Sequence, residues 1–173
     1  MSSEAPLHPD VAHLAFLLGT WEGEGRGDYP TIEPFPYGEA VSFWHNGKPF
    51  LSYSQLTWHL DDHRPLHSEM GFLRGHGKGE QVEWVIAHPS GIVEIEVGWV
   101  KERTVELESK RVTLAPTAKQ VTRLTRSIEV VPDMRGAVLR YQLSMAAVGQ
   151  ALQQHLSAEL RRLSPEAAAA KDR

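Results

Sequence analysis

The sequence LLGTWEGEGRGDYPTI, residues 17–32, contains one tryptophan followed by three glycines at alternate positions. A single charged residue separates each glycine from the next. The residues of this motif are Gly19, Trp21, Gly23, Gly25 and Gly27. Glycine-rich runs bind phosphates when they join a buried parallel strand to a helix, as in Rossmann and P-loop proteins. Here the run lies inside a predicted strand, more strand follows it, and no Gly-Lys-Ser/Thr is present. The context therefore argues against a nucleotide-binding loop.

Alternating glycines remove the side chains from one face of a strand. Such a bare face allows another backbone or a flat ligand to approach closely. It also permits the sharp coiling that a small barrel needs. The residues alone favour the structural explanation and leave the ligand open.

Most of the remaining chain alternates apolar and polar residues with a period of two, which is typical of half-buried strands. Asn46-Gly47 predicts a type I′ hairpin that leads into a strand over Pro49–His59. Further turns are expected at 61–65, 75–79 and 89–91. Strands are predicted over 67–74, 80–88, 91–101, 103–112, 119–131 and 136–147, and the cleanest one-sided strand carries Val93, Ile95, Val97 and Trp99. The fold class expected is all-β: an antiparallel up-and-down β-barrel of about ten strands, similar to lipocalins, because closure removes the sheet edges.

Two short terminal helices complete the prediction. Asp10–Leu18 has helical spacing with Asp10 as the candidate N-cap. Gln150–Leu163 is expected to be a helix with an apolar stripe of four leucines. Residues 1–163 are thus expected to form one domain, and residues 164–173 a frayed, helix-capable tail.

The composition excludes several functional classes. The 173 residues carry a net charge of −4 and no cysteine, so disulfides, thiol nucleophiles and iron–sulfur clusters are excluded. No basic stripe with interleaved aromatics indicates nucleic-acid binding. The N-terminus has no basic region typical of a signal peptide, and no apolar stretch could cross a bilayer, so a cytoplasmic protein without membrane partners is expected.

The glycine motif, followed by YPTI at 29–32, resembles the signature of the nitrobindins, small haem-binding β-barrels also known as peroxynitrite isomerases and earlier likened to fatty-acid-binding proteins. The similarity covers residues 14–163, in the family's order. It continues through GKPFLSYSQ, PLHSEMGFLR, IAHPSGIVEIEVG, LAPTAKQVTRLTRS and VGQALQQHL. The resemblance implies one ferric haem b per chain, isomerisation of peroxynitrite to nitrate, and reversible binding of nitric oxide.

The resemblance also assigns an axial ligand. Nine histidines are present, and His155 lies at the edge of the apolar stripe of the predicted terminal helix. The residues alone favour a packing role, whereas the family's C-terminal QxHL histidine is the proximal haem ligand, which here is His155. A neutral imidazole is a suitable axial donor for haem iron. The turn at 61–65 separates His59, His63 and His67, so no zinc site is expected on that spacing.

Other positions are carried over more weakly. Thr31 and Lys119 match family positions associated with haem binding, and Arg126 could replace Lys119 beside the propionates. The alternative for both cations is an ordinary solvated strand face. Residues that match cavity-lining positions are Leu66, His67, His88 and Met145. His67 and His88 are interpreted as distal lining residues rather than second ligands, and relatives carry glutamine at the position of His88.

The remaining histidines are expected to be solvated: His8, His13, His45, His63 and His76. Two other functions remain open: a non-enzymatic carrier of a fatty acid, with Lys119 or Arg126 as the carboxylate clamp, and a nitric oxide sensor or store on the same haem. Exposed barrel-wall aromatics such as Trp44 or Trp58 would permit a homodimer.

Overall fold

Ten antiparallel strands form a closed barrel in the computed structural model, which describes residues 5–75 and 79–171. Each strand pairs with its neighbours in the chain, and the first pairs with the last. The strands are β1 Gly19–Tyr29, β2 Ile32–Trp44, β3 Phe50–Trp58, β4 Pro65–Gly75, β5 Gln81–His88, β6 Ile92–Lys101, β7 Thr104–Leu114, β8 Val121–Asp133, β9 Gly136–Ala147 and β10 Gln153–Arg162. The predicted up-and-down barrel is confirmed.

A 3₁₀-helix, Pro9–Leu17, covers the end of the barrel at which β1 begins. It buries Val11, Leu14 and Leu17 completely, and the indole of Trp21 donates to the Leu17 carbonyl at 2.8 Å. The predicted N-cap was wrong, because the side chain of His8 accepts the hydrogen bond from the Asp10 amide. This helix fills one end of the barrel with apolar side chains.

The glycine face of β1 points into the barrel, where it accommodates aromatic rings from β2. A Cβ atom on Gly25 would overlap the ring of Tyr37, and one on Gly27 would overlap the ring of Phe35. A Cβ atom on Gly23 would overlap the backbone of β10. The alternating glycines thus serve packing, as the structural explanation requires.

Strand β6 has its apolar face outside the barrel. Val93, Ile95 and Trp99 are 41%, 38% and 61% exposed, whereas Glu94 and Glu96 on the inner face are 1% and 0% exposed. The strand was predicted correctly from its alternation. The apolar residues nevertheless mark the outer wall, because the carboxylates inside have a buried cationic partner, described below.

The predicted helix over Gln150–Leu163 was wrong, since this segment contains β10. Leu156 and Leu160 are four residues apart, and that spacing places residues on one face of a helix and also on one side of a strand. The intervening Ala158 is buried and Glu159 is exposed, which is the alternation of a strand. The short C-terminal helix is instead α1, Pro165–Lys171, which lies in the segment expected to be frayed.

The β2–β3 connection is also longer than the predicted two-residue type I′ hairpin. Residues 45–49 join the two strands, and only Gly47 among them has a positive φ, at 82°. The Asn46 side chain accepts from the Lys48 amide at 3.3 Å and stabilises this wider turn. Most of the predicted turn at 75–79, including His76, lies outside the described residues.

Within the described ranges, no helix is long and apolar enough to cross a membrane. Of the two aromatics considered for a dimer contact, Trp44 is 45% exposed and Trp58 is half-buried.

Candidate functional site

A cavity of about 690 Å³ opens at the end of the barrel opposite the 3₁₀-helix. Its walls are largely apolar and include Ile32, Phe35, Ile92, Val121, Leu143 and Leu156. Polar side chains enter it from two opposite sides. The volume and the few convergent polar groups are those of a site for one small organic ligand.

His155 enters the cavity through a β-bulge in β10. The register with β9 shifts between Gln154 and Leu156, which leaves His155 without a pairing residue. As a result, the consecutive side chains of His155 and Leu156 both line the cavity, although neighbours in a regular strand point to opposite faces. Bulges commonly re-aim a side chain at a functional site in this way.

The orientation of the His155 ring is fixed by its Nδ1 atom, which lies 3.1 Å from the carbonyl oxygen of Asp28. A carbonyl can only accept, so Nδ1 carries the proton and the lone pair lies on Nε2. Burial lowers the pKa of His155 below the ordinary histidine value. The ring is therefore a neutral imidazole with one free nitrogen, which is the form that binds metals.

The wall opposite His155 is formed by a pair of histidines. His88 lies on β5, five strands from β10 in either direction around the barrel, and His67 lies on the adjacent β4. His67 Nε2 and His88 Nδ1 are 3.0 Å apart, and His88 Nε2 is 2.7 Å from Glu94 Oε1. Burial lowers the pKa of His67. Burial acts to lower the pKa of His88, but the contact with Glu94 together with the negative charges of Glu69 and Glu94 outweighs it, so the pKa is raised.

A buried polar layer separates the cavity from the apolar core. Arg126 is 3% exposed and lies 3.5–3.6 Å from three carboxylates, while its guanidinium stacks on Trp84 at 5.1 Å. The three carboxylates belong to Glu69, Glu94 and Glu96. The alternative of a solvated strand face is therefore wrong for Arg126. Because its charge is already paired, the geometry does not support its use as a clamp for propionates or for a fatty acid.

A second hydrogen-bonded group lies in the same layer. Glu39 accepts from Gln55 Nε2 and from the Tyr141 hydroxyl, which also contacts the Tyr37 hydroxyl at 2.8 Å. Burial raises the pKa of Glu39 to about 7 and that of Glu96 to about 8. Glu39 and Glu96 therefore keep their protons near neutral pH more readily than exposed glutamates do. This limits the number of negative charges around Arg126.

The other sequence-predicted residues lie around the cavity mouth. Lys119, Leu66 and Met145 line the cavity, and Lys119 is exposed. Thr31 is exposed on the β1–β2 turn, outside the cavity lining but next to Ile32, which belongs to it.

Of the histidines expected to be solvated, only His63 is exposed among those described. His8, His13 and His45 are half-buried. Burial lowers the pKa of His13. None of these four lines the cavity.

The comparisons with known proteins agree with this architecture. The family model for the THAP4-like, heme-binding beta-barrel domain matches residues 10–162. The chain belongs to this family.

The similarity to individual members extends over nearly the whole chain. Peroxynitrite isomerase 2 of Mycobacterium ulcerans is 55% identical over 164 residues, covering 92% of this chain and 99% of that protein. Peroxynitrite isomerase of Nocardia farcinica is 48% identical, with coverages of 90% and 92%. The crystal structure of Rv2717c from M. tuberculosis superposes with a TM-score of 0.83 at 51% identity, covering 92% of this chain and all of that one.

The residues of this heme-binding-family barrel fit a haem. His155 offers one unprotonated nitrogen to the cavity, and its other nitrogen is held by a backbone carbonyl, which is the usual arrangement of a metal-ligating histidine. The apolar walls suit the porphyrin, and Lys119 places a cation at the mouth, where carboxylates would meet solvent.

Sequence reasoning missed three residues that shape the site: Tyr29, Glu69 and Glu94. Tyr29 is buried against the His155 ring, and both glutamates lie on the inner face beside the histidine pair. The period-two pattern was a usable signal, because His67 and Glu69 are two residues apart and must face the same side.

Proposed function

We propose that this protein is a haem-dependent peroxynitrite isomerase that binds one haem b per chain, with His155 as the axial ligand. The proposal rests chiefly on one observation, the Nδ1 contact of His155 with the Asp28 carbonyl, which leaves Nε2 free inside a largely apolar cavity. The relatives named peroxynitrite isomerase, which share about half of their residues with this chain, support the same activity.

A haem held by His155 would supply the iron chemistry for rearranging peroxynitrite to nitrate. The reaction is an isomerisation, so the chain needs to supply no net proton or electron. This agrees with a site in which His67 contacts His88 at 3.0 Å and His88 contacts Glu94 at 2.7 Å, rather than either ring lying beside a nucleophile.

The chain's own residues perform four tasks in this proposal. His155 holds the haem from the β10 side. The apolar wall excludes bulk water, which strengthens electrostatic contacts in the cavity. His67 and His88 form a polar wall on the opposite side, and Lys119 attracts anions to the mouth.

Thr31, on the rim, is proposed to contact only the edge of the haem, since its side chain lies outside the cavity lining. Nitric oxide is proposed to bind reversibly on the same side as peroxynitrite, because the cavity continues from His155 to the histidine pair. The fatty-acid carrier receives less support, since Arg126 is paired with buried glutamates and only Lys119 remains as a clamp.

The test is a hemin titration of the haem-free protein and of two variants, His155→Ala and His59→Ala. His59 is a matched control, because it is a half-buried histidine near the same end of the barrel but outside the cavity lining. We expect a saturable Soret band at one haem per chain for the wild type and His59→Ala, and loss or displacement of the band for His155→Ala.

Stopped-flow measurement of peroxynitrite decay, with nitrate quantified as product, then tests the activity. The loaded wild type should accelerate the decay and His155→Ala should not. An unchanged Soret band in His155→Ala would overturn the ligand assignment, and haem uptake without acceleration would overturn the enzymatic function.

A further inference from the structure

We propose that the wall opposite His155 contains a second metal site, in which His67 Nε2, His88 Nδ1 and Glu69 Oε1 bind one divalent transition-metal ion of the zinc type. These three atoms belong to the one group of potential ligands that lie close together in the described part of the chain. The site would be separate from the haem iron.

The spacing of the three atoms fits a metal ion. The His67–His88 nitrogen distance is 3.0 Å, and Glu69 Oε1 lies 3.8 Å from His67 Nε2 and 3.7 Å from His88 Nδ1. A point equidistant from all three lies about 2 Å from each, which matches zinc bonds to nitrogen and oxygen of about 2.0–2.2 Å. No large movement of the backbone is needed to bring the ligands together.

His88 is already oriented as a ligand. Its Nε2 atom lies 2.7 Å from Glu94 Oε1, and both side chains are buried, at 7% and 2% exposure. A carboxylate accepts, so Nε2 carries the proton and Nδ1 presents its lone pair to His67. A carboxylate that fixes the tautomer of a metal-ligating histidine is a recurrent element of zinc sites.

The two carboxylate oxygens of Glu69 have different partners. Its Oε2 atom accepts from the Tyr53 hydroxyl at 2.9 Å and lies 3.5 Å from Arg126. Its Oε1 atom faces the two histidines. One oxygen is therefore anchored to the barrel and the other remains for an ion.

The charge of the surroundings also favours a cation. Glu69 and Glu94 place two carboxylates beside one guanidinium, that of Arg126, and the negative charge rises further as Glu39 and Glu96, with pKa values of about 7 and 8, ionise. Two histidines and one carboxylate form a donor set that binds zinc and related divalent ions while leaving a coordination position open. Since all three ligands line the cavity, the open position faces the ligand space.

The proposal is tested by titrating the full-length, haem-free chain with Zn²⁺ in a calorimeter and with Co²⁺ in a visible spectrometer. We expect one ion per chain and the d–d bands of a low-symmetry, four- or five-coordinate Co²⁺ complex. His67→Ala removes a ligand at the exposed rim and should weaken Zn²⁺ binding at least about tenfold. His88→Gln should weaken it similarly.

Two controls separate this site from other histidines. His59→Ala should retain full binding, although His59 lies 3.7 Å from both Asp61 and Asp62. His155→Ala should also retain it while losing the haem band, so failure of the haem assignment does not affect the result. Absence of Zn²⁺ binding by the wild type, or wild-type affinity in folded His67→Ala and His88→Gln, would overturn the proposal.

Discussion

Tyr29 and His155 meet edge to face, with ring centroids 5.1 Å apart and ring planes inclined at 68°. The Tyr29 hydroxyl accepts from the Ala147 amide at 2.9 Å and contacts the carbonyl oxygens of Met145 and Ala147. One side chain of β1 therefore fixes both the end of β9 and the ring that we propose as the haem ligand.

Tyr29→Phe should lower the free energy of unfolding by about 1–3 kcal/mol, because the buried Ala147 amide loses its acceptor. The Soret band should keep its position, since His155 and the packed ring remain. Tyr29→Ala should weaken haem binding further by freeing the imidazole. Urea unfolding and hemin titration of both variants measure the two effects, and a fully stable Tyr29→Phe would contradict the role of the hydroxyl.

Lys119→Ala should weaken haem binding by up to about fivefold, the effect of one exposed ion pair of less than about 1 kcal/mol. Added salt should reduce the difference, because exposed charges are screened. Lys101→Ala is the control, since Lys101 is exposed at the opposite end of the barrel. Equal haem affinities for the two variants at low salt would exclude contact between Lys119 and the propionates.

Arg126→Met should destabilise the protein by about 3–5 kcal/mol, because it leaves buried carboxylates without their cation. The matched control is Arg123→Met on the same strand, whose partner Glu108 lies at 2.9 Å but is exposed. That change should cost less than about 1 kcal/mol. Urea denaturation of both variants provides the comparison, and similar losses would mean that the buried ion group contributes no more than a surface pair.

The strands of the barrel could be predicted because the period-two pattern is local. In β3, for example, Leu51, Tyr53, Gln55 and Thr57 alternate with outward residues as expected and are all buried. The pattern did not reveal which face of β6 is inside. That depends on Arg126, a residue about 30 positions later, which pairs the carboxylates of Glu94 and Glu96.

The candidate site was predicted in part for a similar reason. The family resemblance placed His155 at the cavity, but the helix predicted around it was wrong. Leucines four residues apart fit one face of a helix and one side of a strand equally well, so their spacing cannot distinguish the two. The bulge that turns His155 inward arises from pairing with β9 and has no local sequence signal. The same holds for Tyr29, whose hydroxyl partner at Ala147 is 118 positions away in sequence.

Gly25→Ala should destabilise the barrel by about 1–3 kcal/mol, because the added Cβ would overlap the ring of Tyr37 and force it to move. The same movement would strain the hydrogen bond between the hydroxyls of Tyr37 and Tyr141. In a Tyr37→Ala background the substitution should cost much less, and this non-additivity in a double-mutant cycle identifies the ring as the cause. Additive losses would point instead to the backbone of β1.

Glu39 should contribute a fall in the stability of the haem-free protein as the pH rises from about 5 to 8. Burial raises the pKa of Glu39 to about 7 in the folded state, whereas an exposed glutamate has an ordinary pKa of 4.5. Between these values the folded chain holds a proton that the unfolded chain has lost, so folding is favoured at the acidic end of the range and the advantage disappears as the pH passes 7.

Glu39→Gln removes this titration and retains an amide that can bond to Gln55 and Tyr141. The difference in unfolding free energy between pH 5 and pH 8 should therefore be smaller in the variant than in the wild type, by at most about 3 kcal/mol. The remaining slope combines two opposing contributions: the pKa of Glu96, raised to about 8 by burial, favours a fall with rising pH, whereas the lowered pKa values of His67 and His155 favour a rise. Identical slopes for the two proteins in urea denaturation would show that Glu39 is ionised in the folded barrel throughout this range, which would require a stronger cationic influence on it than its neighbours provide.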